Sequence, residues 1–97
     1  SGMRIKVVEG MALGKCIIST SIGAEGIGCE NGKNILIANN RDEFLEQIRL
    51  LQSDKDLARK IGQEAIAFVK ENYDNKKIID HLLSELKELN KNTIKHK

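Results

Sequence analysis

The first part of the chain carries apolar residues at helical spacing. One face of this segment is formed by Ile5, Val8 and Ala12, with Val7 and Met11 beside it. Gly14 follows, and glycine is the residue type that most often ends a helix. The pattern therefore predicts a first helix over residues 4–13 that is apolar over most of its surface.

Two short apolar runs come next, Cys-Ile-Ile at residues 16–18 and Ile-Leu-Ile-Ala at residues 35–38. Continuous apolar runs bounded by polar residues are typical of strands that are buried on both faces of a parallel sheet. We therefore expect two central strands rather than edge strands. Residues 21–34 between them contain four glycines, so we expect an irregular loop there.

Helical spacing returns after Asn40 and continues almost to the end. A helix is predicted there, with Asp42 and Glu43 in its favourable first turn. A second helix is predicted from a Ser53-x-x-Asp56 capping box to about Asn72, and a third over residues 74–90. The third carries a wide apolar stripe made by Ile78, Ile79, Leu82, Leu83, Leu86 and Leu89.

The order of these elements predicts an α/β fold with a partial doubly wound, Rossmann-like parallel sheet. We expect one partial domain over residues 1–97. Residues 1–40 would form helix, strand, loop and strand, residues 41–92 three C-terminal helices, and residues 93–97 a frayed tail. A sheet of two strands is marginal by itself, so we expect further strands of the same sheet to precede this segment.

Composition narrows the possible functions. Hydrophobic residues make up 40% and charged residues 31% of the 97 residues, and no apolar run approaches the roughly 20 residues that span a bilayer. Nothing in the chain directs export, so we expect a cytoplasmic protein. The net charge is +2 and aromatic residues make up 3%, which argues against nucleic-acid binding. Cys16 and Cys29 lack metal-ligand spacing, and we interpret them as structural thiols.

Residues 1–27 resemble the nucleotide-sugar-binding domain of retaining GT-B glycosyltransferases of group 1 (family 4). The family pattern is approximately E-G-F-G-x-P-x-x-E-A-M-A-x-G-x-P-V-V-x-T. When it is aligned on Glu9, the matching residues are Gly2, Glu9, Met11, Ala12, Gly14, Lys15 and Ile17 to Thr20. Residues 31–48 also resemble the family, which has N-G, an apolar strand and a helix that begins with acidic residues.

The resemblance implies transfer of a sugar from a nucleotide diphosphate sugar to an acceptor hydroxyl, with no metal or other cofactor. Backbone N–H groups at Gly2, Met3 and Arg4, at the positive end of the first helix, would bind the diphosphate, and the Arg4 guanidinium could assist. Glu9, a little over one turn inside the helix, would bind the ribose hydroxyls. Peripheral membrane contact of the parent enzyme stays open.

The chain departs from the family pattern at several positions. The first family glutamate falls on Ser1, Gly10 replaces an alanine and Cys16 replaces a proline. The basic pair that neutralises the diphosphate, and the acceptor domain, would lie upstream. We therefore assign no catalytic residue to this chain and expect it to be inactive in isolation.

Two alternatives to this interpretation come from the residues alone. From its spacing, Glu9 is most simply a solvent-facing residue of a helix. The chain as a whole is also compatible with a non-catalytic α/β or helical interaction module that self-associates. Removing half of a doubly wound domain exposes apolar faces, so we expect the fragment to form a homo-oligomer.

Overall fold

The computed structural model describes residues 2–73 and, beyond them, residues 76, 77, 79, 80, 83, 84, 86 and 87. Its elements in chain order are α1 (Gly2–Ala12), β1 (Ile18–Ser19), β2 (Leu36–Ile37), α2 (Arg41–Ser53) and α3 (Leu57–Asn72). The described residues from 76 to 87 are also helical, where the third C-terminal helix is predicted. Ser1 and the predicted tail lie outside the described residues.

The two strands pair in parallel, as the sequence predicts. Ile18 lies opposite Leu36, and Ser19 lies opposite Ile37. Both strands are shorter than their apolar runs, because strand geometry extends only as far as a neighbouring strand supplies hydrogen bonds. The described residues thus form a mixed α/β structure around a very small parallel sheet.

The two edges of this sheet differ. On the outer edge of β2, the Ile37 N–H donates to Asn31 Oδ1 at 2.9 Å, and Gln47 Nε2 donates to the Ile37 carbonyl at 3.1 Å. The prediction that β2 is a central strand is therefore wrong, because polar side chains take the place of a neighbouring strand. On β1 the parallel register directs the N–H and C=O of Ile18 away from β2, towards the opposite edge.

Residues 21–27, here called the turn segment, are more regular than the predicted loop. The Ala24 N–H donates to the Thr20 carbonyl at 3.1 Å, and the Ile27 N–H donates to the Ala24 carbonyl at 3.2 Å. Ala24 and Ile27 are buried, and Gly26 has a φ of 81°, which side chains rarely allow. The segment therefore belongs to the packed structure.

The start of α2 confirms the prediction, but the start of α3 does not. Asn40 caps α2 through its Oδ1, which accepts the Glu43 N–H at 2.9 Å. The predicted Ser53 and Asp56 capping box is wrong, because Ser53 is the last residue of α2 and its hydroxyl donates back to the Leu50 carbonyl at 3.0 Å. None of the helices in the described residues has the length and apolarity to cross a bilayer.

The core lies where α1 packs against α3, and Ala24, Ile27 and Ile35 complete the buried cluster. The largest fully buried side chains are Met11, Ile35, Leu36 and Ile61. Burying each stabilises the fold by about 1.5–3 kcal/mol. Close approach of the two helices depends on glycine, because a Cβ at Gly62 would collide with the carbonyl oxygen of Gly14.

We expect Gly62→Ala to lower the free energy of unfolding by about 2–3 kcal/mol, since the new methyl meets backbone that cannot rotate away. Urea unfolding of the 97-residue chain, followed by circular dichroism, measures this change. Gln63→Ala, at the adjacent exposed position, is the control and should stay within about 0.5 kcal/mol of the parent. Equal midpoints for the two variants would contradict the packing described here.

Candidate functional site

The N-terminal turn of α1 carries positive charge on both its backbone and its side chains. α1 begins at Gly2, two residues earlier than predicted, and its first turn contains no acidic residue. The first N–H groups of a helix have no partner within the helix, and the helix dipole is positive there. Arg4 and Lys6 add positive side chains within the first two turns. This end of α1 is therefore suited to an anion.

The fold brings this turn to the carboxyl end of β1. A Cβ placed on the buried Gly23 would lie 3.2 Å from Met3 Cγ and 2.8 Å from the hydroxyl of Ser19. A Cβ on Gly26 would lie 3.6 Å from Nη1 of Arg4. The turn segment therefore lies against the start of α1, and no side chain at Gly23 separates them.

Hydroxyl groups order the chain as it leaves β1. Ser19 Oγ donates to the Thr20 carbonyl at 2.9 Å, and Thr20 Oγ1 accepts the Gly23 N–H at 2.9 Å. Next to them is a groove of about 330 Å³ between α1 and residues 17–20, lined by Met3, Lys6, Val7, Ile17, Ile18, Ser19 and Thr20. The groove has a largely apolar wall and a cationic side chain at its rim.

Arg4 is half-buried and lies between the turn segment and the end of α3. Burial raises the pKa of Tyr73, the nearby Cys29 raises it further, and the Arg4 guanidinium acts in the opposite direction. The Tyr73 hydroxyl donates to the Ile27 carbonyl at 3.3 Å, at the far end of the turn segment. Arg4 thus lies close both to the turn segment and to Tyr73, whose hydroxyl is bonded to that segment.

Glu9 is exposed and separate from the other three predicted site residues. It lies about two turns from the start of α1, rather than the little over one turn expected, because the helix begins earlier. At about 100° per residue, Glu9 shares a face with Lys6 and points away from the core face of Val7 and Met11. The structure therefore brings Gly2, Met3 and Arg4 together and places Glu9 apart from them.

Sequence reasoning missed Ser21 and Asn39, which lie just beyond the carboxyl ends of the two strands. The Ser21 N–H donates to Asn39 Oδ1, and Asn39 Nδ2 donates to Ser21 Oγ, each at 2.8 Å. The one signal available was the position of a small polar residue after each apolar run. Nothing in the spacing predicts that these two residues contact each other.

The two thiols are free and half-buried. Burial raises the pKa of both Cys16 and Cys29. Raised pKa values keep the thiols protonated and poorly reactive near neutral pH, in agreement with a structural role. Among the described residues, no group of three or more His, Cys, Asp or Glu side chains is placed to hold a metal ion.

Comparisons with known proteins identify the family of the chain. A family model described as glycosyl transferase-like matches residues 1–84. The chain belongs to this glycosyl transferase-like family. A relative from Klebsiella pneumoniae, an uncharacterized 44.6 kDa protein in the cps region, is 33% identical over 87 residues. The match covers 88% of this chain and 22% of that relative, so the chain spans about a fifth of its length. No solved structure matches the chain significantly.

The raised thiol pKa values predict how stability depends on pH. The folded state holds the thiol protons more tightly than the unfolded state does, and this difference adds to the free energy of unfolding. The added stability is complete below the ordinary thiol pKa of about 8.5 and is lost as the pH rises from there. We expect the urea midpoint to fall as the pH rises above about 8.5, and to fall less in Cys16→Ala/Cys29→Ala. The same fall in both proteins would show that the thiols do not cause it.

Proposed function

We propose that this chain is the C-terminal part of the nucleotide-sugar-binding domain of a retaining GT-B glycosyltransferase of group 1. The family match supports glycosyl transfer. One observation in the fold carries the finer proposal, namely that the acid-free N-terminal turn of α1 opens beside the carboxyl end of β1. Parallel α/β sheets bind their ligands at this end of the strands.

In the proposed complex the first turn of α1 binds the diphosphate of the donor. The N–H groups of Gly2, Met3 and Arg4 point out of the helix end, and Arg4 adds a guanidinium that can donate to phosphate oxygens. Such fixed donors stabilise the negative charge that builds up on a departing diphosphate. In this proposal the segment stabilises charge and forms no covalent bond with the substrate.

Glu9 is proposed to accept hydrogen bonds from the ribose hydroxyls of the nucleotide. Its exposed side chain, about 9 Å further along α1 than Met3, is free of the core and accessible to a ligand that extends along the helix. A diphosphate at the first turn and a ribose at Glu9 would together follow the Lys6 face of α1. The role of Glu9 depends on the family resemblance and on this accessibility.

The remaining machinery is proposed to lie elsewhere in a longer parent enzyme. The relative is much longer than this chain, and among the described residues no strand lies beside β1 on the side away from β2. Further parallel strands would pair on that side. The acceptor hydroxyl, the neutralising basic pair and the base contacts would be bound by those parts. We propose a cytoplasmic enzyme without a metal cofactor, and an isolated chain that does not catalyse transfer.

Self-association is the second candidate function, and one observation favours it. The helical residues Ile79, Leu83 and Leu86 are each more than half exposed and are spaced to share one face. An apolar stripe of this kind commonly packs against a partner helix. The mass of the chain in solution, measured by sedimentation, would be that of a dimer or larger if the stripe pairs two copies.

Binding of nucleoside diphosphates tests the proposed site. We expect UDP or GDP to shift the NMR signals of residues 2–9 and of the turn segment in the 97-residue chain. Glu9→Ala should weaken nucleotide binding about tenfold, as expected when a hydrogen bond to a charged group is lost, and should leave inorganic phosphate binding unchanged.

Glu46→Ala is the matched control, because it removes an exposed helical glutamate from α2. Its affinity for the nucleotide should equal that of the parent chain. A well-folded chain that shows no shifts with either nucleotide would refute a nucleotide half-site in this segment. Equal losses in Glu9→Ala and Glu46→Ala would show that the loss is not specific to Glu9.

A further inference from the structure

Ser21, the first residue of the turn segment, is hydrogen-bonded to Asn39. The reciprocal pair with Ser21 joins the chain beyond β1 to the chain beyond β2. A side-chain amide is suited to this contact, because it offers an acceptor to the Ser21 N–H and a donor to the Ser21 hydroxyl at the same time. The contact therefore fixes both the backbone and the side chain of Ser21.

Asn39 is itself held by the first turn of α2. Its N–H donates to Glu43 Oε1 at 2.8 Å, and the Glu43 N–H donates to Asn40 Oδ1 at 2.9 Å. A capped helix start is among the more rigid parts of a small fold. Two successive contacts, from Glu43 to Asn39 and from Asn39 to Ser21, thus connect α2 to Ser21. Ser21 and α2 are distant in sequence.

The far end of the segment is tied separately, by the Tyr73 hydroxyl on the Ile27 carbonyl. Between these two ties the segment meets α1, with Gly23 against Met3 and Gly26 beside Arg4. A segment held at both ends has little freedom to move away from the first turn of α1. Movement of its Ser21 end would remove the support that it gives to this turn.

We infer that Asn39 is a positioning residue for the diphosphate site. Acting through Ser21, it holds the turn segment against Met3 and Arg4 before the nucleotide arrives, so that binding does not have to order these groups. Asn39 itself need not touch the ligand. The choice of ligand rests on the proposed function, whereas the tie between α2 and the turn segment does not.

The affinity of the 97-residue chain for UDP, measured by calorimetry, tests this role. Asn39→Ala should weaken binding about five- to tenfold, the loss that corresponds to about one net hydrogen bond. Ser21→Ala should weaken it less, because the Ser21 N–H still donates to Asn39. The double variant should bind no more weakly than Asn39→Ala alone, since both changes break the same contact.

Two further variants separate positioning from a general effect of substitution. Ser21→Thr keeps the hydroxyl and the N–H, and should bind UDP as the parent does. Ser53→Ala removes an exposed serine hydroxyl that donates to the Leu50 carbonyl at the other end of α2, and should also leave binding unchanged. Weaker binding in Ser53→Ala equal to that in Ser21→Ala would overturn the inference.

Amide hydrogen exchange without nucleotide supplies a second readout. In Asn39→Ala the amides of Ala24 and Ile27, which donate to the carbonyls of Thr20 and Ala24, should exchange faster, while that of the buried Ala65 in α3 should not change. Faster exchange at Ala65 as well would indicate a general loss of stability and overturn the positioning role.

The outcomes also distinguish this inference from the proposed function. If the parent chain binds UDP and Asn39→Ala binds it equally well, the positioning role is wrong and the proposed function stands. If the parent chain does not bind UDP, the proposed function fails and the role of Asn39 in binding fails with it. Faster exchange in the turn segment would then show a structural tie alone.

Discussion

The close approach of α3 to the end of α1 is the contact on which the rest of the chain depends. It is possible because Gly62 has no side chain where the carbonyl of Gly14 meets α3. Gly14 has a φ of 77°, so the chain turns sharply there towards β1. The direction of α1, the entry to the sheet and the burial of Met11 follow from this arrangement.

With α1 placed in this way, its N-terminal turn lies at the carboxyl end of β1. The strands themselves have two residues each and add little stability. The burial of Ile35, Leu36 and Ile61 supplies more, and the turn segment completes the core with Ala24 and Ile27. Stability is thus concentrated under the helices rather than in the polar groups at the carboxyl ends of the strands.

The sequence predicts the helices better than the site. Periodicity and the acidic first turn of Asp42 and Glu43 are local signals, and α2 begins where they indicate. The predicted capping box does not form, because the Ser53 hydroxyl donates to the Leu50 carbonyl one turn earlier in the chain. The spacing of the residues does not show whether a serine hydroxyl caps the next helix or bonds to the preceding one. The lengths of the strands could not be predicted, since they depend on neighbours and not on apolarity alone.

The residues of the candidate site differ in how they can be found from the sequence. The position of Arg4 at a helix start follows from the sequence pattern, and Glu9 enters through the family motif. The contact of Ser21 with Asn39 joins residues 18 positions apart, so it depends on the pairing of the strands. The contact between Ser21 and Asn39 can be predicted only when the register of β1 and β2 is known.

The unequal edges of the sheet bear on how such a domain can be divided and reassembled. Asn31 and Gln47 occupy the hydrogen-bonding groups of Ile37, so a second polypeptide gains nothing by adding a strand beside β2. The edge at Ile18 offers backbone groups and an apolar wall together. A complementing fragment would therefore find its side of the sheet already set by the segment that it joins.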